Sequence, residues 1–143
     1  MGKITAENRR TLENAENFED ARLTGMTDYE FTTALGQLIE QKGVSVLTIT
    51  ESTNISKSYI NKLRNPSEKT VRPSRHVIID IALALNASLD ETNMLLKKAQ
   101  YQELYTRNQV ESLIIWGMLK SLSGKQIREL LQEKGMDSIF KEK

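Results

Sequence analysis

Apolar residues recur at helical spacing from the end of the polar N-terminal stretch onward. The first group lies at intervals of three and four positions and comprises Phe31, Leu35, Leu38 and Ile39. Thr27 and Glu30 have the spacing of a capping box at its start, and Gly43 can supply a left-handed residue at its end. The pattern predicts a first helix from Asp28 to about Lys42.

The segment from Val44 to Thr53 is compatible with both a helix and a strand. It is rich in valine, threonine and isoleucine, which favour strands, and its apolar residues follow neither period cleanly. The following residues favour a helix, because Asn54 tolerates a positive φ better than any residue except glycine, and Ser56 can cap the next helix. Two helices joined by a short turn are therefore predicted here.

The helix that follows Ser56 is predicted to be amphipathic, with a basic polar face. Ile60 and Leu63 lie three positions apart, and lysine, serine, asparagine and arginine occupy most of the remaining surface. Asn65 and Pro66 end this helix, because proline lacks an amide hydrogen and disfavours helical geometry at the preceding residue.

Four more helices are predicted downstream. The fourth begins after Pro73 and runs to Asn86, and its density of apolar residues indicates a central position. The fifth opens at the capping box Ser88–Glu91, the sixth at Asn108, and the seventh at the capping box Ser123–Gln126. The whole pattern predicts an all-α protein.

Positive charge is concentrated in one segment, although the net charge of the 143-residue chain is only +1. Residues 1–43 carry five basic and eight acidic side chains, residues 44–79 carry six and two, and residues 80–143 carry nine of each. The basic segment contains the predicted amphipathic helix. Because phosphate attraction decays over about 8 to 10 Å in physiological salt, this local excess matters more than the total.

Composition also argues against several classes of protein. With no cysteine and one histidine, His76, the chain offers neither a disulfide framework nor a zinc site. It has no glycine-rich phosphate loop and no acid–base pair at a recognisable spacing, so we expect no cofactor, no metal and no enzymatic activity. It has no apolar run of about 18 residues and no signal-peptide pattern, which predicts a cytoplasmic protein.

The spacing within residues 49–63 resembles that of the lambda-repressor-like (Xre-type) helix-turn-helix family. The positions that carry the resemblance are Ile49, Thr50, Asn54, Ile55, Ile60 and Leu63. Four of them are apolar as in the family, whereas Thr50 and Asn54 stand where alanine and glycine are usual. Val46 stands where the family often has glutamine.

The resemblance extends over residues 28–98, because Arg72–Pro73, the apolar helix from Val77 to Leu85, and Asn86–Leu89 look like the family's fourth and fifth helices. It implies a five-helix lambda-repressor-like helix-turn-helix domain with additional C-terminal helices. We therefore divide the chain into a polar arm (residues 1–25), a DNA-binding domain (26–98) and a C-terminal helical extension (99–143).

The resemblance also implies that the helix from Ser56 to Arg64 lies in the major groove of double-stranded DNA. Base contacts are predicted for Lys57, Ser58 and Asn61, since asparagine can pair bidentately with adenine and lysine can donate to guanine. A solvated helix face is the alternative for these three. Phosphate contacts are predicted for a larger set, namely Ser45, Ser56, Lys62, Arg64, Lys69, Arg72 and Arg75.

Two of these predictions have alternatives that the sequence leaves open. Arg72 can instead enter the minor groove, and Lys69, Arg72 and Arg75 can each be ordinary charges of a flexible loop. The predicted function is that of a sequence-specific transcriptional regulator. The alternative is a protein-interaction module that keeps the helix-turn-helix fold, which the near-neutral total charge and the apolar C-terminal helices favour.

The sixth predicted helix is apolar around nearly its whole circumference. Ile114, Ile115, Trp116 and Met118 follow one another too closely to share one face. Such a helix has to be covered, either by a second copy in a homodimer or by the first five helices of the same chain.

Overall fold

The computed structural model describes residues 28–65 and 72–140. Within these residues the chain forms seven α-helices followed by a short 3₁₀ helix and contains no strand, which confirms the all-α prediction. The helices are α1 (Asp28–Lys42), α2 (Val46–Ser52), α3 (Lys57–Arg64), α4 (Arg75–Ala84), α5 (Leu89–Lys98), α6 (Gln109–Leu119) and α7 (Gly124–Glu133), and the 3₁₀ helix is Asp137–Phe140. The predicted polar arm, Thr27 and Lys69 lie outside the described residues.

Helix α2 forms in the segment whose residues favour strands. Ser45 caps its N-terminus by accepting a hydrogen bond from the backbone N–H of Thr48 at 3.1 Å. Ile49 is completely buried, and the hydroxyl of Thr50 donates to the carbonyl of Val46 at 2.9 Å. The cap and the buried isoleucine together override a weak intrinsic preference for extended structure.

The turn between α2 and α3 is built around Thr53. Its backbone N–H and its hydroxyl both donate to the carbonyl of Ile49, at 3.0 and 2.8 Å, and the hydroxyl also accepts from the N–H of Ile55 at 3.1 Å. Asn54, whose tolerance of a positive φ favoured a turn here, does not adopt one. Among the described residues other than glycine, positive φ occurs at Asn86, Gln100 and Ser121. The Thr53 hydroxyl satisfies the turn locally, so no left-handed residue is needed.

Helix α4 lies at the centre of the molecule, as its apolar density predicted. All residues from Ile78 to Leu83 are buried, and α4 packs against α2, α5, α7 and the 3₁₀ helix. One hydrophobic cluster extends from Phe31 in α1 to Phe140 in the 3₁₀ helix. The helix-turn-helix segment and the C-terminal helices therefore share a single core.

Helix α7 packs very closely onto α4. A Cβ atom on Gly124 would lie 1.7 Å from the carbonyl oxygen of Leu83, so only glycine fits at this contact. Arg128 forms an ion pair with the buried carboxylate of Asp80 and donates to the Asp80 carbonyl at 2.7 Å. Helix α7 is thus covered within the chain, and α6 packs against α5 and α7. The homodimer predicted through the C-terminal helices stays a prediction.

Candidate nucleic-acid interface

Helix α3 buries one face and exposes the opposite one. Ile60 and Leu63 are completely buried, where α3 packs against α1 and α2. Asn61 is half-buried at the boundary between the two faces. The exposed polar side chains are Lys57, Ser58, Lys62 and Arg64. The sequence-predicted basic face is therefore presented outward.

Two serines predicted to contact phosphate cap the N-termini of α2 and α3. The Ser56 hydroxyl accepts from the backbone N–H of Tyr59 at 3.1 Å, and the Ser45 hydroxyl lies 2.9 Å from that of Thr48. Both serines are exposed, so capping does not bury them. The N-terminal ends of the two helices carry partial positive charge, which favours anions nearby.

The three predicted base-contacting residues line one shallow depression of about 570 Å³ on the outer side of α3. Its lining residues are Lys57, Ser58, Asn61, Lys62 and Asn65. Four of them lie on the same two turns of one helix, and two are cations. The depression can therefore offer hydrogen-bond donors and positive charge to an acceptor-rich surface such as the edge of a base pair.

Arg64 determines the orientation of the Asn61 carboxamide. Its Nε donates to Asn61 Oδ1 at 3.1 Å. A guanidinium group only donates, so the oxygen of the carboxamide has to face it. Each carboxamide oxygen has two lone pairs, which means that Asn61 can still accept one bond and donate two. This role of Arg64 was not predicted from the sequence, although residues three apart on a helix are neighbours.

A second depression of about 480 Å³ separates α3 from α1. It is lined by Thr32, Thr33, Gly36, Gln37, Glu40, Asn61, Arg64 and Asn65. The two helices approach closely where Gly36 faces Arg64. A Cβ atom added to Gly36 would lie only 3.3 Å from the carbonyl oxygen of Arg64, which is tighter than an ordinary van der Waals contact. Gly36 thus helps to set how deeply α3 sits against α1.

Arg72 binds groups inside the protein. Its Nε donates to the carbonyl of Ala99 at 2.7 Å, and its Nη2 donates to the carbonyl of Gln100 at 2.7 Å. The guanidinium group also stacks over the ring of Tyr101, at 3.7 Å from the ring centroid. Its hydrogen-bonding groups are directed toward the segment that follows α5.

Arg75 is engaged in the same way. It forms a bidentate ion pair with Glu111, in which Nη2 lies 3.0 Å from Oε1, and it donates to the carbonyls of Gln102 at 3.2 Å and Glu103 at 2.8 Å. Arg75 binds a carboxylate and two carbonyls, and Arg72, although exposed, directs its Nε and Nη2 toward carbonyls of the protein. We therefore leave Arg72 and Arg75 out of the candidate interface. The donors needed for phosphate contacts there belong to Lys62 and Arg64.

Across residues 28–65 and 72–140, no three histidine, cysteine, aspartate or glutamate side chains are grouped as ligands of a metal ion. None of the described helices is both long and apolar enough to span a membrane.

Comparisons with protein-family models, with curated proteins and with solved structures found no match to this chain. The family resemblance consequently rests on the spacing of the residues in and around α2 and α3. The candidate interface rests on the geometry of those two helices.

Proposed function

We propose that the protein is a sequence-specific DNA-binding regulator of the lambda-repressor-like helix-turn-helix type, and that α3 reads the major groove. The observation that carries the proposal is the division of α3 into a buried apolar face and an exposed polar face. That exposed face holds Lys57, Lys62 and Arg64, and no acidic residue occurs within α3. A short cationic helix on a four-residue turn is the unit that such proteins insert into duplex DNA.

The side chains on the exposed face can distinguish bases. Asn61, oriented by Arg64, can pair bidentately with adenine, and Lys57 can donate to the O6 and N7 acceptors of guanine. Ser58 can donate or accept beside them. Each good bidentate contact discriminates by about 1 to 3 kcal/mol, whereas contacts from Lys62 and Arg64 to phosphates add affinity without sequence information.

Selection from a random pool of duplexes tests this proposal. We expect the folded wild-type chain to enrich one motif, and the double variant Lys57→Ala/Asn61→Ala to lose about 100-fold or more in affinity for it. The matched control is Lys125→Ala/Gln132→Ala, which removes an exposed lysine and an exposed amide from α7. Failure of the wild type to enrich any motif at moderate salt, or equal affinity of the two double variants, would contradict the proposal.

The exposed apolar side chains of α6 support a second proposal, in which two copies of the chain associate. Trp116 is 49% exposed and Leu119 68% exposed, and they lie three positions apart on one face. A two-fold dimer would space two α3 helices about one DNA turn apart, or a multiple of it, and would favour a palindromic site. Sedimentation velocity should show a concentration-dependent dimer that Trp116→Ser abolishes.

A protein-interaction module is the competing function, and the same apolar face favours it. In that case α6 binds a different protein, and the wild type remains monomeric at all concentrations. Capture of that partner would then be insensitive to Lys57→Ala/Asn61→Ala. Sedimentation and the selection experiment together separate the two functions.

A further inference from the structure

The connection between α5 and α6, residues 99–108, is bound by the two arginines that the candidate interface leaves out. Arg72 holds the carbonyls of Ala99 and Gln100, and Arg75 holds those of Gln102 and Glu103. Arg72 lies three residues before α4, and Arg75 is its first residue. The connection is therefore attached, through four of its carbonyls, to the N-terminal end of α4.

Tyr101 is the central side chain of this attachment. Its hydroxyl donates to the carbonyl of Pro73 at 2.7 Å, while its ring lies beneath the guanidinium group of Arg72. The connection is also fixed on the α5 side, where Asn93 Oδ1 accepts from the backbone N–H of Leu104 at 2.9 Å. Tyr101 thus touches both residues that precede the cap of α4.

Tyr101 and α3 pack against the same core. Tyr59, on the half-buried side of α3, and Tyr101 both lie against the hydrophobic cluster. The pKa of Tyr59 is above its ordinary value, because the residue is partly buried and because Tyr101 is near. Helix α4 packs against α2, and α2 packs against α3, so the attachment at the start of α4 is linked to the recognition helix through packed helices.

Glu111 joins α6 to the same group of residues. Its carboxylate binds Arg75 and accepts from the backbone N–H of Tyr105 at 2.8 Å. The residue is 8% exposed, so the pair with Arg75 is nearly buried. The first turn of α6 is consequently anchored to the first turn of α4.

We propose that Tyr101 and Glu111 are positioning residues for DNA recognition. Through Arg72 and Arg75 they hold the N-terminus of α4, the helix that packs against α2, and α2 in turn packs against α3. The recognition helix is thereby kept at a defined depth and angle. Neither residue touches DNA in this scheme. The inference rests on the proposed function, and it extends the DNA-reading unit beyond residue 98 to the start of α6.

The proposal makes a distinctive prediction about affinity. Base-edge hydrogen bonds require the reading side chains to be held within about 0.5 Å and 10 to 20° of the productive geometry. Phosphate attraction tolerates larger displacements and sets the dependence of affinity on salt. Loosening the attachment should therefore weaken specific binding while leaving nonspecific binding and the salt slope unchanged.

Tyr101→Leu in the full chain tests this, with Tyr105→Leu as the matched control from the same connection. The Tyr105 ring is 53% exposed, and its contact to Glu111 is made by the backbone, which the substitution keeps. Dissociation constants are measured for the selected duplex and for a scrambled duplex over a series of salt concentrations. We expect Tyr101→Leu to bind the selected duplex about tenfold more weakly, the order of one misplaced base contact, and the scrambled duplex equally well.

The same titrations on Arg72→Gln separate positioning from phosphate binding. As a positioning partner, this variant should behave like Tyr101→Leu. If Arg72 instead contacts a phosphate, its removal will weaken both duplexes equally and reduce the salt slope by about 1, and that result would overturn the proposal. Circular dichroism and thermal unfolding confirm that each variant is folded.

Should Tyr101→Leu not fold, Tyr101→Phe replaces it, because it keeps the ring under Arg72 and removes only the bond to Pro73. We then expect a loss of about threefold for the selected duplex alone, in line with one modest hydrogen bond. Equal affinity of Tyr101→Leu and wild type, or of Tyr101→Phe if it is used, overturns the positioning role alone. A wild type without preference for any duplex overturns the proposed function, and the inference with it.

Discussion

Two groups of cations in the same basic segment have different surroundings in the folded protein. Lys57, Lys62 and Arg64 lie on the exposed face of α3, and Arg64 bonds Asn61 of the same helix. Exposed Arg72 and half-buried Arg75, before and at the start of α4, bind carbonyls, a carboxylate and an aromatic ring of residues distant in sequence. The sequence pattern suggested phosphate contacts for members of both groups. Local charge density in the sequence therefore locates positive residues. Acceptors distant in sequence decide which of the N–H donors of those residues remain available to bind phosphate.

The largest expected contrast between the groups concerns stability. Arg75→Met should lower the free energy of unfolding by about 3 to 5 kcal/mol, because it leaves the nearly buried Glu111 carboxylate without its cation. Lys62→Met should change it by less than about 0.5 kcal/mol, as expected for an exposed site. Urea unfolding at neutral pH measures both. Similar losses in the two variants would remove the distinction between the groups.

A smaller difference in stability is expected between two substitutions in the turn that joins α2 and α3. Thr53→Val removes a buried hydroxyl that bonds Ile49 and Ile55, and should cost about 1 to 2 kcal/mol. Asn54→Gly should not stabilise the protein and should cost up to about 1 kcal/mol in chain entropy, since φ at Asn54 is not positive. Thermal unfolding of both variants checks this. A stabilising Asn54→Gly would contradict this account, because glycine stabilises a position that needs a left-handed conformation.

The smallest effect is expected for Lys42, a cation whose partner is only partly buried. Lys42 Nζ lies 2.8 Å from Glu91, which is also part of the capping box of α5. Partial burial raises the pKa of Glu91, but the hydrogen bonds from Lys42 and Ser88 and the Lys42 charge lower it by more, so it lies below the ordinary 4.5. Ionised Glu91 therefore stabilises the fold above that pH, and this contribution is lost as the pH falls through the lowered pKa.

Glu91→Gln measures that contribution. We expect the variant to be about 0.5 kcal/mol less stable than wild type at pH 7, because the side chains of Lys42 and Glu91 are 28% and 31% exposed and water screens the pair. The difference should shrink as the pH falls below about 4.5, where the wild-type carboxylate takes up its proton. Urea unfolding of both proteins at several pH values provides the comparison, and a difference that grows at acid pH would reverse the assigned sign.

The helices themselves were largely predictable from local signals. The capping boxes at Ser88 and Ser123 and the cap at Asn108 are all present, because such caps depend on residues within one turn. The short turn between α2 and α3 was predicted, but the bonds of Thr53 in it were not, since a threonine can cap a helix, bond a preceding carbonyl or favour a strand. The contact of Gly124 with Leu83 was also beyond prediction, because it joins helices distant in sequence.

The candidate interface shows the same limit of local patterns. The exposed face of α3 follows from the spacing of Ile60 and Leu63, which fixes the side that is buried. The partners of Arg72 lie 27 and 28 positions away, and Glu111 lies 36 positions from Arg75. The spacing of residues along one helix cannot predict contacts between residues so far apart in sequence. Long-range acceptors of this kind become visible only once the helices are packed.

The central claim is that the exposed face of α3 binds duplex DNA, and amide-resolved NMR titration with a selected duplex tests it most directly. We predict that the largest chemical-shift changes fall on residues 56–64 and on the start of α2 near Ser45, while the Trp116 indole signal stays in place. Changes confined to α6, or no saturable change anywhere, would contradict the claim.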